Sequence, residues 1–531
     1  MIMNDLTENS DEDDVSLAKV QEQCEDLERS WRLYGYAPIV EMCAQQAQFE
    51  QRQGDKLEYM QTLPFVNQRL AQWVLADREC SQIGRHRLSP QNFQNIFKKT
   101  YDIVHNSAPR YLLQSGGISA MRAMAFQQFE YQTASRFALL RQFYIASQLP
   151  RNHKLLTWNS NSSALTGADL VLGSHILAAH VLKNPGKYIS ALQLQTGIKW
   201  FPKEKMISLL HGLAASTSQL RDRFVNDDKK AISVLSAMHS PVFRVKPLFQ
   251  VSHKQYVTWS PPLLLRSLGN FFLQSIRESG NDQLIAEYGK VFESKYVMSA
   301  AMALCKKCIA EATLMTLLQS NEKVVDLALN FDEDIVLVEA KVKEASVGTQ
   351  SAIEETLIGD RLKGSILKAI EQGMSTASLI RDGRLEALGL SKKANRYLLI
   401  ISSEQHYMGT GVDIAERTGK ARMERLRAQY APELPIPFEN IVLLTADGLD
   451  SLVALSERGE RDLVSFMKEM RERQLTADPS RRVMVGEQVL VLSDQDALPS
   501  YLSESKEQWM SNILGTYNSA SNNRGQTTNI L

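Results

Sequence analysis

The stretch Lys323–Glu344, KVVDLALNFDEDIVLVEAKVKE, decides how this chain is read. Val324–Phe331 and Ile335–Val342 are apolar, β-branched runs divided by the acidic break Asp332-Glu333-Asp334, the pattern of a β-hairpin. Side chains alternate along a strand, so Glu339 and Lys341 share one face while Val336, Val338, Ala340 and Val342 share the other. The loop length then decides the chemistry. With two or four loop residues Asp326 falls opposite Glu339; with three it turns to the wrong face. Opposed, the two carboxylates stand about 5 Å apart on one face, a like-charge pairing that destabilises a sheet unless something compensates. Hard divalent cations such as Mg²⁺ take oxygen ligands of this kind. Lys341 would then set an ammonium beside the ion, which suits hydrolysis of a phosphodiester. The plainer alternative makes Asp326 and Glu339 polar-face residues of an edge hairpin, with Lys341 as their ion-pair partner. It accounts less well for an Asp opposite that Glu in a strand otherwise filled with Val and Leu. Asp332, Glu333 and Asp334 read as a solvated turn, and become alternative ligands only in another register.

Asp326 followed by Glu339-Ala340-Lys341 on a hairpin resembles the core of the PD-(D/E)XK, or restriction-endonuclease-like, nuclease superfamily. In that family a helix bearing a glutamate precedes the hairpin. Asn281–Leu304 occupies that place, and its GKVFESKYV is similar to the family's first helix. Val325 stands where the family carries Pro, which leaves the ligand set intact. The resemblance spans roughly residues 281–456. It implies Mg²⁺ (or Mn²⁺) held by Asp326, Glu339, the backbone carbonyl of Ala340 and Glu293, with Asp326, Glu339, Lys341 and Glu293 as the catalytic set. Glu287 and Glu293 lie roughly 120° apart around a helix, so they should not both point into one site. Similarity to the family favours Glu293 and leaves Glu287 as a supporting candidate. Gln372, on a helix expected over Ser351–Ser378, is a second one, because many members draw a polar residue from the helix after the motif Lys.

The expected fold class is a multidomain α+β protein: an all-helical N-terminal domain, then a restriction-endonuclease-like α/β core with a mixed central sheet. At 531 residues the chain exceeds what one hydrophobic core usually serves. Residues 1–14 are acidic and read as a disordered tail, and 15–240 read as helices of no recognised family. Residues 241–280 read as a β-hairpin and connecting helix, with strands over Val242–Val251 and Gln255–Ser260, and 281–456 as the nuclease-like domain. Asn395–Ser402 and Ile441–Thr445 are buried-strand candidates, the second followed by a helix over Ala446–Ser456. Residues 457–518 form a helix and strand extension, with a strand-like Val483–Leu492, and 519–531 a polar tail.

Composition is that of an ordinary globular protein, with 44% apolar and 23% charged residues and a net charge of zero. Nucleic-acid contacts must therefore come from local basic patches. Arg417, Lys420, Arg422 and Arg425 on a helix over Ala415–Gln429 are the candidates, a solvated face being the alternative. Arg136, Arg141, Arg151 and Lys154 read more readily as a solvated helix face than as phosphate contacts. The five cysteines are sparse and odd in number, as expected of a reducing cytoplasm. Cys305-Lys-Lys-Cys308, read on a helix, has no second pair nearby and is a weak zinc signal, as is the pair His175 and His180. No apolar run suggests a membrane span and the N-terminus does not read as a signal peptide.

These readings converge on a Mg²⁺-dependent deoxyribonuclease with a gating or sensing helical half. Defence of a bacterium against phage or plasmid DNA is a setting drawn by analogy. A ribonuclease on the same core is the first alternative, and a non-catalytic nucleic-acid-binding or scaffold protein the second. Cutting both strands with one site per chain would need a homodimer or a second subunit.

Overall fold

A computed structural model describes residues 16–53, 63–107, 136–159, 165–197, 201–225, 242–318, 322–342, 359–360, 362–403, 410–476 and 498–504. The acidic tail 1–14, the strand-like 483–492 and the tail 519–531 lie outside the described residues. The architecture is mixed α+β, with two mixed sheets among many helices.

The first helices are α1 (Leu17–Arg32), α2 (Tyr36–Gln53), α3 (Leu63–Ala76) and α4 (Pro90–Tyr101). Their starts follow local chemistry. Ser16 and Ser89 accept main-chain N–H groups at the N-termini of α1 and α4, and Pro90 occupies a first-turn position where its missing N–H costs nothing. Next come α5 (Arg136–Ser147) and α6 (Gly167–Lys183), the latter opened by a reciprocal Thr166–Asp169 capping box. A small sheet follows, with β1 (Ala214–Ala215) parallel to β2 (Leu248–Ser252), and β2 antiparallel to β3 (Gln255–Thr258). The expected strand over Val242–Val251 is thus shorter, its start being a 3₁₀ turn at Val242–Arg244.

Beyond α7 (Pro261–Glu278), the helix expected over Asn281–Leu304 is present but not uniform. It runs as α8 (Asp282–Val291), a π-helical turn Phe292–Val297, and α9 (Met298–Leu304). Cys305 ends α9, and Cys308 opens a strand, β4 (Cys308–Ala310), so the Cys305/Cys308 pair does not lie on a helix. β4, β5 (Leu327–Asn330), β6 (Asp334–Lys341), β7 (Asn395–Ser402) and β8 (Ile441–Thr445) form a five-stranded sheet in that order. The first two pairings are antiparallel and the last two parallel. Between β6 and β7 lies α10 (Ile366–Arg381); a turn at 363–365 precedes it, so the helix expected over Ser351–Ser378 is interrupted there. Between β7 and β8 lies α11 (Lys420–Gln429); α12 (Ala446–Glu457) and α13 (Leu463–Thr476) follow β8.

Both faces of this sheet are covered. Leu327, Leu329, Val336, Val338, Leu399, Ile401, Val442 and Leu444 belong to one core with residues of α5, α6, α7 and the π-turn. Ala328, Ile335, Leu337, Leu398, Ile400 and Ile441 belong to another, closed by α10 and α11. A third core lies apart from the sheet, formed by α1 to α4 with Phe249, Val257 and Trp259. The division of buried residues therefore does not fall at residue 240, because α5 and α6 contribute to the same core as one face of the five-stranded sheet.

Candidate functional site

The β5–β6 connection sets the site. Phe331 N–H bonds to Asp334 O, so the turn consists of Asp332 and Glu333 alone. Asp332 adopts φ +66°, a left-handed conformation that Asp tolerates better than most residues and that suits a tight hairpin. The pairing Leu327↔Val338 then extends to Asp326 opposite Glu339, the even-loop register. Two main-chain bonds close this end of the ladder. Asp326 N–H donates to Glu339 Oε2 at 3.1 Å, and Ala340 N–H donates to Asp326 Oδ2 at 2.6 Å. Lys341 O faces β7, where it accepts Ser403 N–H at 3.0 Å. Carbonyls alternate along a strand, so that of Ala340 points to the β5 side, towards Asp326.

Glu339 is 1% exposed and points, with Ile335 and Leu337, towards the core under α10. Lys341 Nζ donates to Glu339 Oε1 and lies 3.4 Å from Gln372 Oε1. Gln372 Nε2 in turn donates to Val324 O at 3.2 Å. Gly373 is what lets α10 lie this close. A Cβ there would come within 2.7 Å of Leu398 on β7. Gln372 thus meets the site, at Lys341 and not at a carboxylate.

Glu287 does not join them. Its carboxylate pairs with His153 at 3.2 Å and Lys154 at 3.0 Å. Glu293, in the π-turn, does reach the hairpin. Carboxylate oxygens of Glu293, Glu311 and Asp326 lie within 4.8 Å of one another, the one such cluster of potential ligands among the described residues. Glu339 stands beside it, turned to Lys341 and the Asp326 N–H.

Glu311 had no place in the reading of the sequence. It follows directly on β4, and its N–H donates to Asp326 O at 2.8 Å. The register Ala310↔Leu327 continues to Glu311 opposite Asp326, so Glu311, Asp326 and Glu339 form one acidic row across three neighbouring segments. The signal was there in principle, but it required reading Cys308–Ala310 as a strand.

The electrostatics are those of crowded anions. Burial, then the charges of Asp326 and Glu311, push the Glu293 carboxyl up to about 7. Burial also raises Asp326, against the opposing pull of the Ala340 N–H and the Lys341 ammonium. Glu339 is raised as well, by burial and then by Asp326, with Lys341 acting the other way. Three carboxylates converging with one ammonium alongside make a hard, oxygen-only donor set. Oxygen-only donors of this kind are those that hard divalent cations take.

The basic candidates divide. Arg422 is half-buried, holding Glu371 Oε2 at 2.6 Å and Lys363 O at 2.9 Å, which ties α11 to α10. Lys420 and Arg425 are exposed, and the Arg417 side chain lies outside the described ones. Arg141 is not on a solvated face: it is buried against Asp450, with Nη2 at 2.7 Å from Oδ2. Among the described residues no helix is long and apolar enough to cross a membrane. Comparison with known proteins finds no family model that matches this chain and no curated protein that matches it.

Proposed function

We propose that this chain is a Mg²⁺-dependent nuclease that hydrolyses phosphodiester bonds of DNA, with Asp326, Glu339, Lys341 and Glu293 as its working residues. The observation that carries the reading is the register Asp326 opposite Glu339 with Lys341 on the same face. Such a row is costly in a sheet and buried besides, so chemistry is a better reason for it than packing. The motif's likeness to the PD-(D/E)XK superfamily points the same way, and the mixed sheet between helices is compatible with it.

Asp326, Glu293 and Glu311 would hold the ion, with Glu339 and the Ala340 carbonyl at its flank. A bound divalent ion there supplies an activated water and neutralises charge developing on the phosphate. Asp326 is held ready by the Ala340 N–H, so its carboxylate needs no reorientation. Glu339 keeps the Lys341 ammonium at the site, and Gln372 sits on its other side. From there the ammonium can orient the attacking water or meet the negative charge of the pentavalent phosphate. Glu293, brought to Asp326 and Glu311 from the preceding helix, would complete the carboxylate set around the ion.

DNA is the favoured substrate, by the superfamily resemblance. Competition settles it: labelled duplex DNA is incubated with the chain and Mg²⁺ beside an excess of unlabelled DNA or RNA. Protection by DNA alone supports the reading, and protection by RNA alone overturns it. Asp326→Ala is the control that must be silent.

A further inference from the structure

Arg141 and Asp450 form a buried ion pair between α5 and α12. Arg141 Nε and Nη2 donate to Asp450 Oδ2 at 3.2 and 2.7 Å, and Nη2 also reaches Asp447. The other oxygen, Oδ1, accepts Tyr296 Oη at 2.8 Å and Tyr501 Oη at 2.5 Å. The guanidinium lies over the Tyr296 ring, 5.2 Å from its centre. Tyr296 is fully buried and also lies 2.8 Å from Ala446 O. Tyr144, a turn beyond Arg141 on α5, places its hydroxyl 2.5 Å from Ser299 Oγ and 3.4 Å from Lys295 O.

Through Tyr296 and the Lys295 carbonyl this network grips the π-turn that carries Glu293, and through Ser299 the first turn of α9 beyond it. Met298 N–H reaches back to Glu293 O, which is the wide turn itself. In an α-helix, residues three apart share a face. Glu293 and Tyr296 do not share a destination: one meets Asp326 and Glu311, the other meets Asp450 in the core. The widened turn rotates the two apart. Such turns are rare, occur mostly as single bulges inside α-helices and fall frequently at functional sites.

We infer that Tyr296, anchored by Asp450 and Arg141, is the positioning residue that keeps Glu293 against Asp326 and Glu311. The inference rests on reading those carboxylates as a divalent-cation site. Through Arg141 and Tyr144 it also makes α5, in the helical half, part of what sets that site.

The test is Mn²⁺ binding to the full chain, read from the free-Mn²⁺ paramagnetic resonance signal, so that no catalysis is needed. Four proteins are compared: the wild type, Glu293→Gln, Tyr296→Phe and the double variant. A control, Tyr256→Phe, removes a buried hydroxyl from the small sheet. Expected is a loss of about fivefold in affinity for Tyr296→Phe, none for the control, and no further loss when Tyr296→Phe is added to Glu293→Gln. Wild-type affinity in Tyr296→Phe overturns the inference alone, as does an effect that persists in full in the Glu293→Gln background. A wild type that takes up no Mn²⁺, or a Glu293→Gln that binds as tightly, overturns the cation site and the inference with it. If Tyr296→Phe does not fold, Tyr144→Phe enters the same cycle with the same expected sign.

Discussion

The main-chain N–H of Asp326 is capped by the carboxylate of Glu339, Oε2 lying 3.1 Å away where the β5–β6 ladder ends. The return bond, Ala340 N–H to Asp326, makes the two carboxylates part of the hairpin's own hydrogen bonding. Their positions are therefore set by folding, and on the proposed reading a divalent ion would meet them already in place.

Lys341 matters to stability as well as to chemistry. Lys341→Met removes the ammonium from a carboxylate that is almost wholly buried, at a cost of about 3 kcal/mol when Glu339 is ionised. Lys341 holds the Glu339 carboxyl down, so its loss raises that group further and lets it take a proton instead. The penalty should accordingly be larger at about pH 8 than at about pH 5. Denaturant unfolding at the two pH values measures it.

Glu293 gives a signed pH dependence. Its carboxyl rises from 4.5 to about 7 on folding, so between those values the folded state binds the proton that the unfolded state has released. Stability from this group is full below 4.5 and is lost as pH rises through 7. In EDTA, Glu293→Gln should match the wild type in acid and be the more stable protein above pH 7. Melting temperatures across that window check it. Mg²⁺ should reverse the order at high pH, because only the wild type then binds the ion fully.

Glu311→Gln should separate binding from folding. The residue is exposed and its charge crowds Glu293 and Asp326, so without a metal its loss should leave the fold as stable as the wild type or slightly more so. The same substitution takes a carboxylate from the cluster with Glu293 and Asp326. The Mg²⁺ concentration for half-maximal cleavage should rise several-fold, in a titration against wild type.

The hairpin was legible because strand alternation is strict and the acidic break is short, but the parity of its pairing was not, because it hangs on the loop length. Loop length alone was undetermined, and the left-handed Asp332 resolves it as two residues. Glu311 was not legible. A three-residue strand is too short to show alternation, and Cys308–Ala310 reads as a continuation of the helix before it. Helical spacing placed Glu287 and Glu293 on different faces, but which of them met the hairpin depended on the π-turn. That turn is held by Arg141, Tyr144 and Asp450, far away in sequence. For the same reason the membership of α5 and α6 in the core that covers one face of the sheet could not be read locally.

The exposed cations of α11 should act on substrate affinity. Lys420→Ala and Arg425→Ala should each raise KM for DNA about twofold to tenfold and flatten its salt dependence, with kcat unchanged. Arg422→Ala should instead lower thermal stability, since its guanidinium joins α11 to Glu371 on α10. Steady-state cleavage at several salt concentrations, beside melting curves, distinguishes the two behaviours.

The most direct test of the central claim is cleavage of supercoiled DNA by the purified chain in Mg²⁺ or EDTA, with Lys341→Ala alongside. Nicking or linearisation in Mg²⁺ is expected, abolished by EDTA and absent from Lys341→Ala while that variant still folds. Cleavage by Lys341→Ala at the wild-type rate would contradict the claim, as would a folded wild type that leaves the DNA intact while binding no divalent ion.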